Sequence, residues 1–150
     1  MTPAKQPVSV LVVIHTPAAD VLLLERAAHP GFWQSVTGSR EGHETLRDTA
    51  CREVAEETGI VLPANQFTDW QLSNRYEIFP EWLHRYAEGV TINVEHVFGL
   101  CLPNRVDITT SPGEHRAWQW LPWRDAAERC FSWSNRDAIL LLPGRLQTGT

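Results

Sequence analysis

Three glutamates on one short segment have the chemistry and the spacing to bind a divalent cation. Glu53, Glu56 and Glu57 fall within about 100° of arc on a helix with 3.6 residues per turn. Like charges at this spacing each cost roughly 0.2–0.5 kcal/mol, and the last turn of a helix disfavours anions. A hard cation such as Mg²⁺ reverses both penalties, because it binds a few carboxylate oxygens and keeps positions for water or phosphate. For this helix taken alone, the alternative is a solvated face with Arg52 paired to Glu56.

The residues before the helix extend this pattern. Five residues separate Gly38 from Glu44, seven more separate Glu44 from Arg52, and residues 52–60 read REVAEETGI. This arrangement resembles the signature of the Nudix hydrolases at every fixed position. The resemblance implies an α/β/α sandwich with a mixed β-sheet between helices, a divalent metal, and attack of water on a phosphoanhydride of a nucleoside-diphosphate-like group. His43 departs from the glycine that is common in the family, and an exposed loop histidine is favoured over a metal ligand.

The expected chemistry gives each signature residue a role. Gly38 lacks a Cβ and permits close approach of the loop that brings Glu44 to the helix. Glu53 and Glu57, one turn apart, could both bind the ion, while Arg52 holds the glutamates in orientation. The ion would polarise phosphate oxygens and lower the pKa of bound water. An acidic chain could therefore bind a polyphosphate that arrives with Mg²⁺, the default ion, or with Mn²⁺.

Other segments resemble a bacterial group within the family. Members of this group remove pyrophosphate from 7,8-dihydroneopterin triphosphate, a step of folate synthesis, and accept some deoxynucleoside triphosphates such as dATP. The similar segments are Pro7–Ile14, Phe32–Ser39, Glu77–Phe79, His84–Ala87, Glu114–His115 and Ser132–Arg136. Together they cover much of the chain.

The same resemblance implies site residues outside the signature. It places the metal on Glu53, Glu57 and Glu114. Glu56 would be a further ligand or a base, and we hypothesise that Glu56 or Glu114 accepts the proton from the attacking water. The implied substrate contacts are Lys5, Arg26, Thr37, Tyr76, Glu77, Ile78, Phe79 and Ser132. The two cations would add positive charge near a triphosphate, although solvated surface charges are an equal alternative.

Aromatic residues are frequent, with seven tryptophans in 150 residues. Trp33, Phe79 and Trp133 could form an apolar pocket for a flat pterin or base, because aromatic faces favour offset stacking. Each tryptophan taken singly is more often part of a core. Trp118 and Trp120 alternate on a predicted strand and are assigned to packing or an interface.

The elements that must position these residues are strands alternating unevenly with helices. Strands are predicted over Val8–Ile14, Val21–Leu24, Glu95–Leu102 and Ala117–Leu121, and helices over Thr45–Thr58, Trp123–Cys130 and from Ser134 to Leu142. Thr45 and Asp48 form a capping box, and Gly59 ends the same helix. Pro143 and Gly144 are expected to stop the last helix. This order predicts an α/β layered domain with helices on both sides of a mixed sheet.

Composition limits the function classes. With 43% apolar and 21% charged residues, the chain is expected to form one domain over residues 1–150. Three widely spaced cysteines, Cys51, Cys101 and Cys130, argue against a disulfide framework and for a reducing, cytoplasmic compartment. No apolar run approaches the roughly 20 residues that span a bilayer, and no secretory signal is readable. A net charge of −5 disfavours nucleic acid as a partner.

Three other functions compete with pterin triphosphate hydrolysis. A broad nucleotide-pool enzyme acting on deoxynucleoside triphosphates stays within the family. A dinucleoside polyphosphate hydrolase is suggested weakly by Tyr76, sixteen residues after Ile60. A non-catalytic binding module would be expected to lack a glutamate or Arg52, and all of them are present. The sequence predicts neither the oligomeric state nor the number of metal ions.

Overall fold

The computed structural model describes residues 3–147, which fold around a mixed sheet of seven strands. The strands are β1 (Val8–His15), β2 (Asp20–Arg26), β3 (Trp33–Gln34), β4 (Val36–Ser39), β5 (Phe67–Glu77), β6 (Ile92–Cys101) and β7 (His115–Pro122). The helices are α1 (Leu46–Thr58), α2 (Trp123–Arg129), α3 (Trp133–Leu140) and α4 (Leu142–Gln147), with 3₁₀ turns over Ala64–Gln66 and Pro80–Arg85. No helix among these residues has the length and apolarity needed to cross a membrane.

Strand β1 organises the sheet. It runs parallel to β6 along its whole length, from Val8 beside Val94 to His15 beside Cys101. It pairs with β2 only at His15, which lies opposite Val21. Strand β4 pairs with the first half of β1 instead. Antiparallel β3 and β7 both lie on β2, and antiparallel β5 lies on β6. Strands β1 and β2 therefore diverge from one end of the sheet towards the other.

Helices cover both faces of the sheet, as predicted. Val10 and Val12 of β1 pack in one core with Ala50 of α1. Leu11 and Val13 point to the opposite face and pack in a second core with the helices that follow β7. Successive side chains of a strand point to opposite faces, so the near-continuous apolar run of β1 is what a strand covered on both sides requires. Each fully buried side chain of this kind contributes roughly 1.5–3 kcal/mol.

Helix α1 begins and ends where the sequence predicted. The Thr45 hydroxyl accepts a hydrogen bond from the Asp48 backbone N–H at 3.1 Å. Gly59 has φ +77°, which glycine adopts without strain, and its N–H donates to the carbonyl oxygen of Ala55. Thr45 is thus the N-cap rather than the first helical residue. These caps fix the ends of α1, in whose last turn Glu57 is buried.

The carboxyl-terminal helices differ from the prediction. Ser132, rather than Ser134, caps α3, because its hydroxyl accepts from the N–H of Asn135 at 3.3 Å. Pro143 and Gly144 do not end a helix but lie inside α4, since α3 has already ended at Leu140. A proline in the first turn of a helix costs little, because that N–H has no intrahelical partner.

The other predicted elements lie within a few residues of their expected bounds, and β3, β4 and β5 are additional strands. All three cysteines are free thiols, as the odd number suggested. Trp120 is buried and donates from Nε1 to the carbonyl oxygen of Val106 at 2.8 Å, and Trp118 packs against the same core, so both have the predicted packing role.

Candidate active site

The candidate site lies at the end of the sheet where β1 and β6 begin and β2, β4 and β5 end. Register places Ser9 of β1 beside both Ser39 of β4 and Glu95 of β6. A cavity of about 740 Å³ opens here. A side pocket of about 170 Å³ adjoins it and shares Arg26 and Thr37 as walls. Residues far apart in sequence therefore line two adjoining spaces.

Two glutamates from α1 form one wall of the cavity. Glu57 is only 2% exposed and accepts a hydrogen bond from the backbone N–H of Thr37. The carboxyl groups of Glu53 and Glu57 are hydrogen-bonded to each other. Glu53 lies directly over the backbone of β4, where a Cβ on Gly38 would overlap its carboxyl group. Only glycine leaves room for this approach. The Thr37 hydroxyl is itself engaged, because it donates to the carbonyl oxygen of Val10 at 2.9 Å.

Burial makes this pair difficult to ionise. Burial raises the pKa of Glu57 well above its usual range, and the neighbouring Glu53 raises it further. Burial also raises the pKa of Glu53. His115 approaches Oε1 of Glu57 at 3.7 Å, but burial lowers the pKa of His115 to about 4, so its imidazole is neutral at pH 7. Different cations act on the two carboxylates, because Arg52 pairs with Glu53 at 2.9 Å and the charge of Arg26 acts on Glu57.

The pair fits a divalent cation. Oε1 of Glu57 is buried and has no hydrogen-bond partner among residues 3–147. No group of three or more His, Cys, Asp or Glu side chains converges there as a complete metal site within the same residues. Two carboxylates form a ligand set that suits Mg²⁺ or Mn²⁺, because the other coordination positions of the ion are left to water or phosphate oxygens.

Arg52 donates hydrogen bonds to three glutamates, namely Glu44, Glu53 and Glu56. Its Nε and one terminal nitrogen donate to the two carboxylate oxygens of Glu44, at 2.8 and 3.0 Å. Its other terminal nitrogen donates to Glu53 at 2.9 Å, and a further bond reaches the carbonyl oxygen of Ser39 at 3.0 Å. Hydrogen bonds from Arg52 lower the pKa of Glu44 to about 2. Arg52 thus joins the loop, β4 and α1 around the carboxylate pair.

The other two predicted acidic residues lie differently. Glu56 is 53% exposed, contacts Arg52 at 3.4 Å and does not line the cavity. Glu114 lines the cavity from the loop before β7, and the Ala27 N–H donates to its carbonyl oxygen at 2.9 Å. The structure therefore brings Glu114 to the same cavity as Glu53 and Glu57, and leaves Glu56 outside it.

Four cations line the cavity, namely Lys5, Arg26, Arg40 and Arg85. Burial lowers the pKa of Lys5 and that of Arg26, and the charge of Arg85 lowers both further. The Arg26 guanidinium lies 4.8 Å from the centre of the Trp82 ring, and its Nε has no hydrogen-bond partner among the described residues. Clustered cations of this kind attract a polyanion. Arg85 was not predicted as a site residue, although it belongs to the similar segment His84–Ala87.

Aromatic side chains surround the side pocket. Phe79 and Trp133 line it and remain 42% and 46% exposed, and Trp82 lies 5.0 Å from Phe79 between ring centres. Trp33 does not line either space and packs in the core beside α2 and α3, so its predicted pocket role is wrong. Exposed aromatic rings facing one pocket are typical of a site for a flat ligand.

The remaining predicted contacts also lie at the side pocket. Tyr76, Glu77, Ile78 and Ser132 all line it. Glu77 is exposed at the rim and Ile78 is buried. His43 is exposed on its loop, as expected.

Buried Glu95 was not predicted as a site residue, and it also lines the side pocket. A charged residue within an apolar strand segment was its only signal. Trp82 carries no sequence signal that separates it from a core residue, whereas His115 belongs to the similar segment Glu114–His115.

The chain resembles known proteins along most of its length. Residues 5–142 match the NUDIX domain. Dihydroneopterin triphosphate diphosphatase of Escherichia coli strain K12 is 49% identical over 138 residues, covering 90% of this chain and 91% of the relative. The Haemophilus influenzae enzyme of the same name is 40% identical over 134 residues, covering 87% and 84%.

The fold is similar to that of one of these relatives. The structure of the E. coli dihydroneopterin triphosphate pyrophosphohydrolase superposes with a TM-score of 0.84 at 47% identity, covering 92% of this chain and 95% of that one. The sequence signature, the α/β/α sandwich and these similarities agree, and the chain therefore belongs to the Nudix hydrolase family.

Proposed function

We propose that this chain hydrolyses 7,8-dihydroneopterin triphosphate to dihydroneopterin monophosphate and pyrophosphate, in a Mg²⁺-dependent reaction of folate synthesis. The observation that carries the proposal is that two spaces adjoin. A cavity lined by the carboxylate pair and four cations shares walls with a pocket lined by aromatic rings. The names of the relatives that are 49% and 40% identical support the same substrate.

In this proposal Glu53 and Glu57 would hold the ion, together with Glu114, which lines the same cavity. The buried, unpartnered Oε1 of Glu57 is otherwise costly. When bound, the ion supplies charge for the phosphate oxygens and lowers the pKa of a bound water. Arg52 keeps Glu53 in place through its bond at 2.9 Å.

The cations would bind the triphosphate and orient it. Lys5, Arg26 and Arg85 line the cavity that contains the carboxylate pair, so a phosphate chain between them would be neutralised from both sides. The pterin ring would lie in the side pocket against Phe79 and Trp133.

The proton of the attacking water needs an acceptor. Glu114 is the better candidate because it lines the cavity, whereas Glu56 does not line it and is paired with Arg52. Glu114→Gln should then lose turnover while keeping its melting temperature, and full turnover would exclude it as the base. Hydrolysis in ¹⁸O-labelled water, with the label located in monophosphate or pyrophosphate, identifies the phosphorus attacked.

The deciding experiment compares kcat/KM for dihydroneopterin triphosphate, dATP, 8-oxo-dGTP and a dinucleoside polyphosphate, with Mg²⁺ and product identification. Strong preference for the pterin with release of pyrophosphate supports the proposal. Comparable rates for all deoxynucleotides would instead indicate a nucleotide-pool enzyme, which the aromatic pocket also suits. No turnover of any substrate would indicate a binding module.

Dinucleoside polyphosphate hydrolysis has less support. The Tyr76 hydroxyl, the residue that suggested it, accepts from Asn93 at 3.0 Å and donates to Glu95 at 3.4 Å. It is therefore committed to an internal network.

Three predictions from composition complete the proposal. They are a single domain over residues 1–150, a cytoplasmic location and the lack of a nucleic-acid partner, the last because the net charge is −5.

A further inference from the structure

Trp82 lies between the two spaces of the site and lines both of them. The centre of its ring is 4.8 Å from Cζ of Arg26 and 5.0 Å from the centre of the Phe79 ring. His29 packs edge-on against Trp82, with the ring centres 6.0 Å apart. One side chain therefore contacts a cation of the cavity and an aromatic ring of the side pocket.

Arg26 has few other contacts. One of its terminal nitrogens donates to Oε1 of Gln34 at 3.4 Å, which is a long hydrogen bond. No carboxylate among residues 3–147 lies within ion-pair distance of Arg26, and the charges of Glu57 and Glu114 act on it from farther away. Arg26 is half-buried and lines both spaces, so a ligand in the cavity can reach it. An aromatic ring and one weak hydrogen bond, rather than an ion pair, thus hold this cation.

An arginine that binds phosphate needs support that leaves its N–H groups free. A carboxylate partner would use these donors and neutralise the charge. An aromatic face attracts the guanidinium without accepting a hydrogen bond, so the donors at the edge of the planar group stay available. Contact with the ring also restricts a long side chain before the ligand arrives, so less entropy is lost on binding.

We propose that Trp82 is a positioning residue that holds the Arg26 guanidinium in place for the phosphate chain of the substrate. Because Trp82 also contacts Phe79, it joins the wall that faces the substrate ring to a cation that faces the phosphates. The inference rests on the proposed function only in placing a polyphosphate in the cavity. It applies equally to a pterin and to an adenine ring.

The test measures the dissociation constant of inorganic pyrophosphate by isothermal titration calorimetry, in the presence of Mg²⁺. Pyrophosphate has no ring, so direct stacking of Trp82 on the substrate ring cannot affect the result. We expect Trp82→Leu to weaken binding by about 3- to 30-fold, the scale of a cation–π contact. Trp82→Phe keeps an aromatic face and should recover most of the affinity.

A double-mutant cycle tests whether the effect depends on Arg26. Arg26→Met removes the charge and keeps an apolar stem, and it should weaken pyrophosphate binding by about 10- to 100-fold. In the Arg26→Met background, Trp82→Leu should change the dissociation constant by less than about 2-fold, because the contact that it removes is already absent. A purely structural role of Trp82 would instead give the same loss in both backgrounds.

Trp123→Leu is the matched control. Cζ of Arg124 lies 5.1 Å from the centre of the Trp123 ring, so this change also removes an arginine–tryptophan contact. Neither residue lines the cavity or the side pocket, and pyrophosphate binding should therefore stay unchanged. Thermal melting of each variant shows whether it folds. Trp82→Met, which fills more of the same volume without an aromatic face, replaces Trp82→Leu if that variant does not fold.

The outcomes separate this inference from the proposed function. Unchanged pyrophosphate binding in Trp82→Leu, an equal loss with and without Arg26, or no binding by the wild type would overturn the inference, and none of these excludes pterin hydrolysis. A loss that depends on Arg26, in a protein that hydrolyses deoxynucleotides but not dihydroneopterin triphosphate, would support the inference and contradict the proposed substrate.

Discussion

Glu57 affects both the chemistry of the site and the stability of the fold. The fold buries its carboxylate and leaves one oxygen without a hydrogen-bond partner among the described residues. Because the pKa of Glu57 is raised above its ordinary 4.5, the folded metal-free protein holds a proton that the unfolded chain releases. Glu57 thus has no effect below about pH 4.5 and destabilises the fold increasingly as the pH rises towards the folded-state pKa.

We therefore expect Glu57→Gln to raise the melting temperature of the metal-free protein at pH 7 by a few degrees. The amide has no charge to desolvate and keeps an acceptor for the Thr37 N–H. Hydrolysis should fall by more than about 100-fold, since even groups that only orient metal ligands are worth 10–100-fold. Melting in EDTA and in Mg²⁺, with steady-state rates, measures both effects. A lower melting temperature in EDTA would contradict the expectation.

Arg52 acts through geometry rather than charge alone. Its planar group donates to Glu44 through two nitrogens and to Glu53 through a third, a pattern that lysine cannot reproduce. We expect Arg52→Lys to lower kcat/KM by about 10- to 100-fold and to raise the Mg²⁺ concentration for half-maximal rate. Arg105→Lys is the matched control, because Arg105 binds the carboxylate of Asp20 at 2.9 Å at the other end of β2. Equal rates in the two variants would refute this role.

Part of the site could be predicted residue by residue. The spacing of Glu53 and Glu57 on one helix is a local property, and so is the reach of Arg52 to Glu56, four residues on. The pairing of Arg52 with Glu44 requires the loop conformation, and the position of Glu95 requires β6 to lie between β1 and β5. Such contacts depend on tertiary packing, which sequence spacing does not contain.

At the scale of elements, the contact of β4 with α1 sets the position of the carboxylate pair. Gly38 lies where a Cβ would overlap the end of the flexible Glu53 side chain. We expect Gly38→Ala to keep its fold, with Glu53 displaced and kcat/KM reduced at least about 10-fold. Gly144→Ala, where the added Cβ meets open space, is the control. Circular dichroism melts and rates measure the two effects, and unchanged activity of Gly38→Ala would rule out this positioning.

Elements with one clear hydrophobic pattern were predicted well, and elements with a mixed pattern were not. Strand β1 is apolar on both faces and α1 has recognisable caps, so both were found. Strand β5 alternates exposed polar residues with half-buried ones and contains a bulge, with Gln71 at φ +54°, so its sequence resembles a loop. Ser132 and Ser134 both suit a helix N-cap, and only the packing of α3 decides between them.

At the scale of the whole molecule, an acidic chain encloses a cavity in which cations are clustered beside carboxylates. The net charge is −5, yet Lys5, Arg26 and Arg85 line the space beside the carboxylate pair. Local charge rather than net charge therefore determines which anion can bind. The sheet permits this arrangement because its divergent strands bring cations and carboxylates from different segments to one end.

The opposite end of β1 affects how stability depends on pH. His15 is 5% exposed, its Nδ1 lies 3.2 Å from the carbonyl oxygen of Thr16, and burial lowers the pKa of its imidazole below 6.5. The unfolded chain therefore takes up a proton below about pH 6.5 that the folded protein does not, and stability is lost as the pH falls.

Replacing His15 by Gln removes this proton uptake. As the pH falls from 7 to 5, wild type should lose more free energy of unfolding than His15→Gln, by up to about 1.4 kcal/mol per pH unit for one proton. Urea unfolding of the metal-free proteins at several pH values measures the difference in slope, which is independent of any constant cost of the substitution. His43→Gln, in an exposed loop, controls for loss of an imidazole. Parallel curves for wild type and His15→Gln would show that His15 is protonated equally in the folded and unfolded states.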